Sequence, residues 1–122
     1  MKTTSLAGVV LAITLGLTGC TVITENATHV DVTKVKQIID LRSDDAWVMG
    51  HLPAARNFDS VSPEFKSAMK QIGKSETVLL YGKDAQQVQG VIDNLAEHGY
   101  KNLINGGSLE EAIKATGLEV TF

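Results

Sequence analysis

The chain has 122 residues, 43% hydrophobic and 20% charged, with a formal net charge of −3. That length suffices for one domain, and a mildly acidic balance without a basic patch argues against a nucleic-acid partner. Cys20 is the single cysteine, which excludes an intramolecular disulfide.

The N-terminus carries its own pattern. Lys2 is followed by an uncharged run from Leu6 to Leu17 and then by Leu17-Thr18-Gly19-Cys20. A basic start, a short apolar stretch and small residues at its end form an export signal. Such a stretch is about 18 Å long as a helix, too short for a bilayer core of about 30 Å, so it reads as cleaved. Leu-Thr-Gly-Cys resembles the lipobox of bacterial lipoproteins. That resemblance implies removal of residues 1–19 as signal peptide and acylation of Cys20, palmitate included, which makes the membrane a partner through the lipid. Residues 20–29 then form a tether and residues 30–122 the domain. Without Lys2 the remainder carries ten basic and fourteen acidic residues, a net of −4. Thr21, where an Asp would suggest inner-membrane retention, points to the periplasmic face of an outer membrane if the source has two membranes. Asn26-Ala27-Thr28 matches a glycosylation sequon and reads as chance.

From Val30 onward strand and helix patterns alternate. Gln37 to Leu41 is a short β-branched run that predicts a buried strand. Ser43 caps a short helix through Trp47 and Met49, ended by Gly50. Trp47 is expected in the core. Ser62-Pro63 starts a helix with Phe65, Met69 and Ile72 at helical spacing and Gly73 beyond it. Thr77 to Tyr81 is the clearest strand. A helix from Gln86 to His98 buries Val88, Val91, Ile92 and Leu95, with Gly99 at its end. Asn102 to Ile104 is another strand, Gly106-Gly107 a turn needing positive φ. Ser108 and Glu111 make a capping box for a last helix ending near Gly117. This alternation predicts an α/β fold, a mostly parallel sheet flanked by helices. Ligands in such folds sit beyond the C-terminal strand ends, here the loop after Tyr81 with help from the segment after Leu41.

Two groups of residues carry a second resemblance. Ile39-Asp40-Leu41-Arg42, Trp47 and Gly50-His51-Leu52-Pro53-Ala54-Ala55-Arg56-Asn57 resemble the first signature of rhodanese domains, with Ala54 where the family has Gly. Val78 to Tyr81, Gly99-Tyr100-Lys101-Asn102-Leu103 and Gly106-Gly107 resemble its second half. The likeness runs from Val35 to Ala112 and is strongest to single-domain exported rhodaneses of the phage-shock type. It implies a small rhodanese-like fold. It also implies a nucleophilic cysteine directly after the strand ending at Tyr81, opening a loop that contains an arginine.

Here that loop is Gly82-Lys83-Asp84-Ala85-Gln86-Gln87, with Gly82 at the nucleophile position and no arginine. Sulfur transfer needs a thiolate whose pKa is lowered by backbone N–H groups and a helix N-terminus. Glycine provides none, so the expectation is a pseudoenzyme with no catalytic residue and no cofactor. Its role is then protein or anion binding at residues 82–87. Gly82 leaves room for a small anion in a nest of N–H groups and Lys83 can assist, whereas Asp84 opposes it or takes the donors itself. The alternative is a sulfurtransferase, thiosulfate-type, using an unusual mechanism or a partner's cysteine. Asp40 and Arg42 either flank that site or form a structural salt bridge. His51 packs or hydrogen-bonds locally. His29, His51 and His98 lack metal-ligand spacing, so no metal is expected.

Overall fold

Among the described residues four strands and four helices alternate, and each helix starts at a side-chain N-cap, Ser43, Ser62, Asp84 or Ser108. The computed structural model describes residues 29–122; the export segment, the lipobox with Cys20 and the Asn26 sequon lie outside them. A 3-10 turn at Val32–Lys34 leads into β1 (Gln37–Asp40), α1 (Asp44–Val48) and β2 (Ala55–Asn57). Then come α2 (Pro63–Lys70), β3 (Thr77–Gly82), α3 (Ala85–Glu97), β4 (Asn102–Ser108) and α4 (Leu109–Thr116).

The strands lie in the order β2-β1-β3-β4, and every neighbouring pair is parallel. The expected α/β architecture is therefore present. Strands buried on both faces alternate between two cores. Ile39, Val78 and Leu80 point into one with Phe65 and Met69 of α2 and Val88, Ile92 and Leu95 of α3. Ile38, Leu79 and Tyr81 point into the other with Leu52 and with Ala112 and Ala115 of α4. Helices thus cover both faces, and the C-terminal ends of β1 and β3 open side by side.

The helix starts follow the sequence closely. Ser43 Oγ accepts from Ala46 N–H, Ser62 Oγ from Phe65 N–H, and Ser108 with Glu111 closes the capping box. Gly117, at φ 73°, ends α4. Other expectations need correction. The last strand does not stop at Ile104 but runs on through Gly106 and Gly107 to Ser108. Of the two glycines only Gly107 has positive φ, 72°. Gly106 is needed for space, since a Cβ there would lie 3.0 Å from the Leu80 carbonyl oxygen. Trp47 is not a core residue. It is half-buried and stacks on the His51 ring, with centroids 3.4 Å apart, because α1 is a single short turn that buries none of its residues. The edge strand β2, lying inside the Gly50–Asn57 turn, was absent from the periodicity reading.

Candidate functional site

The site grows from the C-terminal ends of β1 and β3. Asp40 closes β1 and is completely buried. A buried carboxylate must be paired and hydrogen-bonded, and Arg42 answers both needs. Its Nη2 lies 2.8 Å from Asp40 Oδ2, its Nε reaches both carboxylate oxygens, and its backbone N–H donates to Oδ1 at 2.7 Å. Nη2 also donates to Gly50 O at 2.6 Å, which pins the end of α1 to the strand. Burial pulls the Arg42 pKa down, but the Asp40 hydrogen bonds and charge outweigh it and hold the guanidinium above its ordinary value.

The rhodanese-like turn completes this frame. Asn57 Nδ2 donates to Asp40 O and Arg42 O. Tyr81 OH accepts from Leu52 N–H at 3.0 Å, and burial pushes the Tyr81 pKa up, with the nearby Asp40 carboxylate adding to the effect. His51 Nδ1 lies 3.0 Å from Trp47 O, and its backbone pairs with Thr121. His51 thus packs and bonds locally, as expected from its turn. Asp40 and Arg42 form the structural salt bridge, and neither the Tyr81 nor the Asn57 contribution was foreseen. A Tyr ending an apolar strand and an Asn ending a Gly-Pro turn were the available signals.

The loop after β3 has a different filling. Gly82 is the last residue of β3, and its backbone has no positive φ. A Cβ built on it would sit 2.2 Å from Gln87 Oε1 and 3.2 Å from Val88 Cγ2. The Gln87 carboxamide therefore occupies the room that a side chain at position 82 would take. Gln87 Oε1 accepts from Lys83 N–H at 2.7 Å, and its Nε2 reaches Leu41 O at 3.3 Å. Asp84 is the N-cap of α3, accepting from Gln87 N–H at 2.8 Å. The nest expected to stand open beside Gly82 is instead filled from within, because a glutamine on the first turn reaches back across a residue with no side chain. Asp84 takes a donor, the outcome that competed with anion binding. Lys83, Ala85 and Gln86 put no side-chain hydrogen bond into the loop; Ala85 contributes its carbonyl oxygen to Asn105 Nδ2 at 3.0 Å. Asn105, 2% exposed, also bonds Gln89 and Gly107 N–H, fastening the start of α3 to β4.

A polar cleft of about 360 Å³ lies in front of the two loops, between Arg42, Ser43, Asp44, Asp59, Ser60 and Gln87. The two sequence-derived parts, Asp40–Arg42 and residues 82–87, are thus brought to one place. Among the described residues no three His, Cys, Asp or Glu side chains cluster closely enough to hold a metal ion.

Fold and site together define a parallel α/β domain with its functional loops at the strand C-termini. The family model of the Rhodanese-like domain matches residues 24–111, and the chain belongs to that family, within the sulfurtransferase superfamily. No curated protein matches it. Among solved structures, the rhodanese-like domain of the Alr3790 protein from Anabaena sp. is 21% identical with a TM-score of 0.57, covering 72% of this chain and 88% of that one. SSP1007 from Staphylococcus saprophyticus is 23% identical with a TM-score of 0.55, covering 75% and 97%. A rhodanese with anions from E. coli is 26% identical with a TM-score of 0.51, covering 62% and 88%.

Proposed function

We propose that the protein is a lipid-anchored, non-catalytic rhodanese-like lipoprotein of the cell envelope, a binding module in place of a sulfurtransferase. The observation that carries this reading is the Gln87 carboxamide lying where a side chain at position 82 would project. Sulfur transfer in the family runs through a cysteine persulfide after this strand. Here Gly82 has no sulfur, and Cys20 is the only cysteine in the chain. Acylated in the lipobox, it leaves no free thiol. Its lipid, several acyl chains at about 0.8 kcal/mol per buried CH₂, makes attachment to the membrane effectively permanent.

The cleft favours a protein partner over a small anion. Its mouth carries Asp44 and Asp59, which repel anions, and the nearest loop donors are already taken by Gln87 and Asp84. Val48 at the end of α1, its C-cap Met49, and Val61, just beyond the Asp59–Ser60 wall, are 64%, 77% and 77% exposed. Exposed apolar side chains beside a polar cleft suit a protein contact.

The test is thiosulfate-to-cyanide sulfur transfer by the purified full chain. The expected result is no turnover above background. Turnover would overturn the reading in favour of an unusual sulfurtransferase. Radioactive palmitate should label the wild type and not Cys20→Ala; an unlabelled wild type would sink the anchor.

A further inference from the structure

The lysines are gathered at one end of the domain. Lys36 N–H donates to Thr77 O at 2.8 Å and Lys101 N–H to Lys74 O at 3.0 Å. These bonds place Lys36 beside the start of β3 and Lys101 beside Lys74, all along the edge where the strands begin, with Lys74 Nζ itself donating to His98 O at 2.6 Å. Lys34 closes the 3-10 turn just before β1. Lys70 and Lys114 lie in the last turns of α2 and α4, helices that run back from the strand C-termini to the same edge. All six are exposed. Asp31 caps the 3-10 turn, Glu76 directly precedes β3, Glu97 ends α3 and Glu119 follows the end of α4 by three residues, so six lysines stand against four carboxylates here on a chain whose net charge is −3.

The opposite end is acidic, with Asp44, Asp45, Glu64, Asp84, Glu110 and Glu111 at the caps or first turns of the helices. Helix dipoles explain those acids, and Lys70 and Lys114 likewise. They do not explain Lys36 and Lys101, which precede strands and make no side-chain hydrogen bond or ion pair among the described residues.

The chain also enters the domain at the lysine end. Val30 N–H donates to Ala115 O at 2.8 Å, which places the entry beside the last turn of α4 and Lys114. From Cys20 to His29 the backbone reaches at most about 32 Å. A lipid on Cys20 therefore keeps this end within about 32 Å of the bilayer.

We propose that the edge carrying Lys34, Lys36, Lys74, Lys101 and Lys114 is a membrane-docking face for the anionic phospholipid headgroups of the bilayer in which the protein is anchored. The proposal rests on the lipid-anchor reading. Juxtamembrane lysines are attracted to anionic headgroups within about a Debye length of the surface, and the tether is long enough to let them reach it while keeping them concentrated near it. Docked this way, the domain turns its strand C-termini, with the cleft and residues 82–87, away from the membrane toward water and partners.

The test uses the full, palmitate-labelled protein reconstituted in vesicles of phosphatidylcholine, or of phosphatidylcholine with phosphatidylglycerol. Lysines are acylated by an uncharged water-soluble reagent and read by mass spectrometry. Lys34, Lys36, Lys101 and Lys114 should react several-fold more slowly in the anionic vesicles, Lys83 equally in both, and high salt should erase the difference. The double variant Lys36→Glu/Lys101→Glu should lose the protection at Lys34 and Lys114. Labelled protein whose lysines react alike in both vesicles overturns the docking face and leaves the anchor standing. Unlabelled protein overturns the anchor, and the lysine pattern then judges the face by itself: protection supports it, even reactivity overturns it.

Discussion

After β1, Asp40, Arg42, Gly50 and Asn57 hold one another through charged and backbone hydrogen bonds, whereas after β3 the space beside Gly82 is taken by an uncharged carboxamide from α3. Both loops end adjacent parallel strands and face the same cleft. The first keeps the features by which the family resemblance is recognised; the second carries Gly82 where, on the reading proposed above, the family's nucleophile would stand. The difference points to a division of labour: the Asp40 network serves the fold itself, independently of what occupies the loop after β3. A carboxylate buried at a strand end has to be satisfied in any case, while the space beside a residue with no side chain can be filled by a neighbour, as Gln87 fills it here.

The sharpest way to break this comparison is Asp40→Ala. It leaves Arg42 partly buried without its partner and strips an acceptor from Arg42 N–H, a loss of about 3 kcal/mol. Chemical denaturation should show the midpoint falling with an unchanged m-value. If Asp40→Ala costs no more than an exposed carboxylate would, the network is not structural and its presence needs a functional explanation.

Gln87→Ala probes the other loop and should cost less, about 1 kcal/mol, since it removes an acceptor for Lys83 N–H and the weaker bond to Leu41 O while water can replace both. Hydrogen exchange should report the loss locally, with Lys83 N–H faster and the β3 amides unchanged. Uniformly faster exchange through β3 would mean that the carboxamide supports the sheet and is not a filling of the loop.

Much of this was legible in the sequence. Ser62-Pro63, the Ser108/Glu111 box and the run Thr77 to Tyr81 are local signals, set by residues within one turn or one strand, and the structure bears them out. The pairing of Asp40 with Arg42 was visible as one of two readings. What escaped depends on distance: Tyr81 OH meets Leu52 N–H across 29 positions, Gln87 Nε2 meets Leu41 O across 46, and β2 exists only because Ala55–Asn57 lies against β1. Trp47 was misplaced because its size suggested a core that a one-turn helix at the edge does not reach. Ala54 shows a local signal whose meaning needed the backbone. Its φ is 64°, in the left-handed region where a Cβ is strained, which accounts for glycine at this place in the family pattern. Ala54→Gly should therefore stabilise the protein, by roughly 0.5–1 kcal/mol after the entropy cost of glycine is set against the relief. A lower melting temperature in that variant would show that the strain is absent.

The most informative change in chemistry comes from Gly82→Cys. The backbone at Gly82 suits any L-residue, and the obstruction is the far end of the Gln87 side chain, with Val88 close behind at 3.2 Å. Gln87 can swing into the cleft it already lines but gives up the same two bonds, so the cost should be about 1 kcal/mol, close to that of Gln87→Ala, and Gly82→Cys/Gln87→Ala should cost little more than Gln87→Ala alone. Once Gln87 leaves, Lys83 N–H is free to meet the new sulfur at the N-terminus of α3, and such donors favour the thiolate. Asp84, one of the groups nearest to it, works against that by charge and by holding Gln87 N–H. The thiol in the double variant should thus ionise below the ordinary value of about 8.5, and further below it in the triple variant with Asp84→Asn. The rate of thiol alkylation against pH reads this directly, with every variant made in a Cys20→Ser background so that the new thiol is read alone. A downward shift in that order means the loop still holds the backbone frame of a thiol site and that Gln87 only fills it. A thiol that titrates like free cysteine in all three means the loop has lost that frame as well, and the contrast between the two loops then extends from their side chains to their backbone.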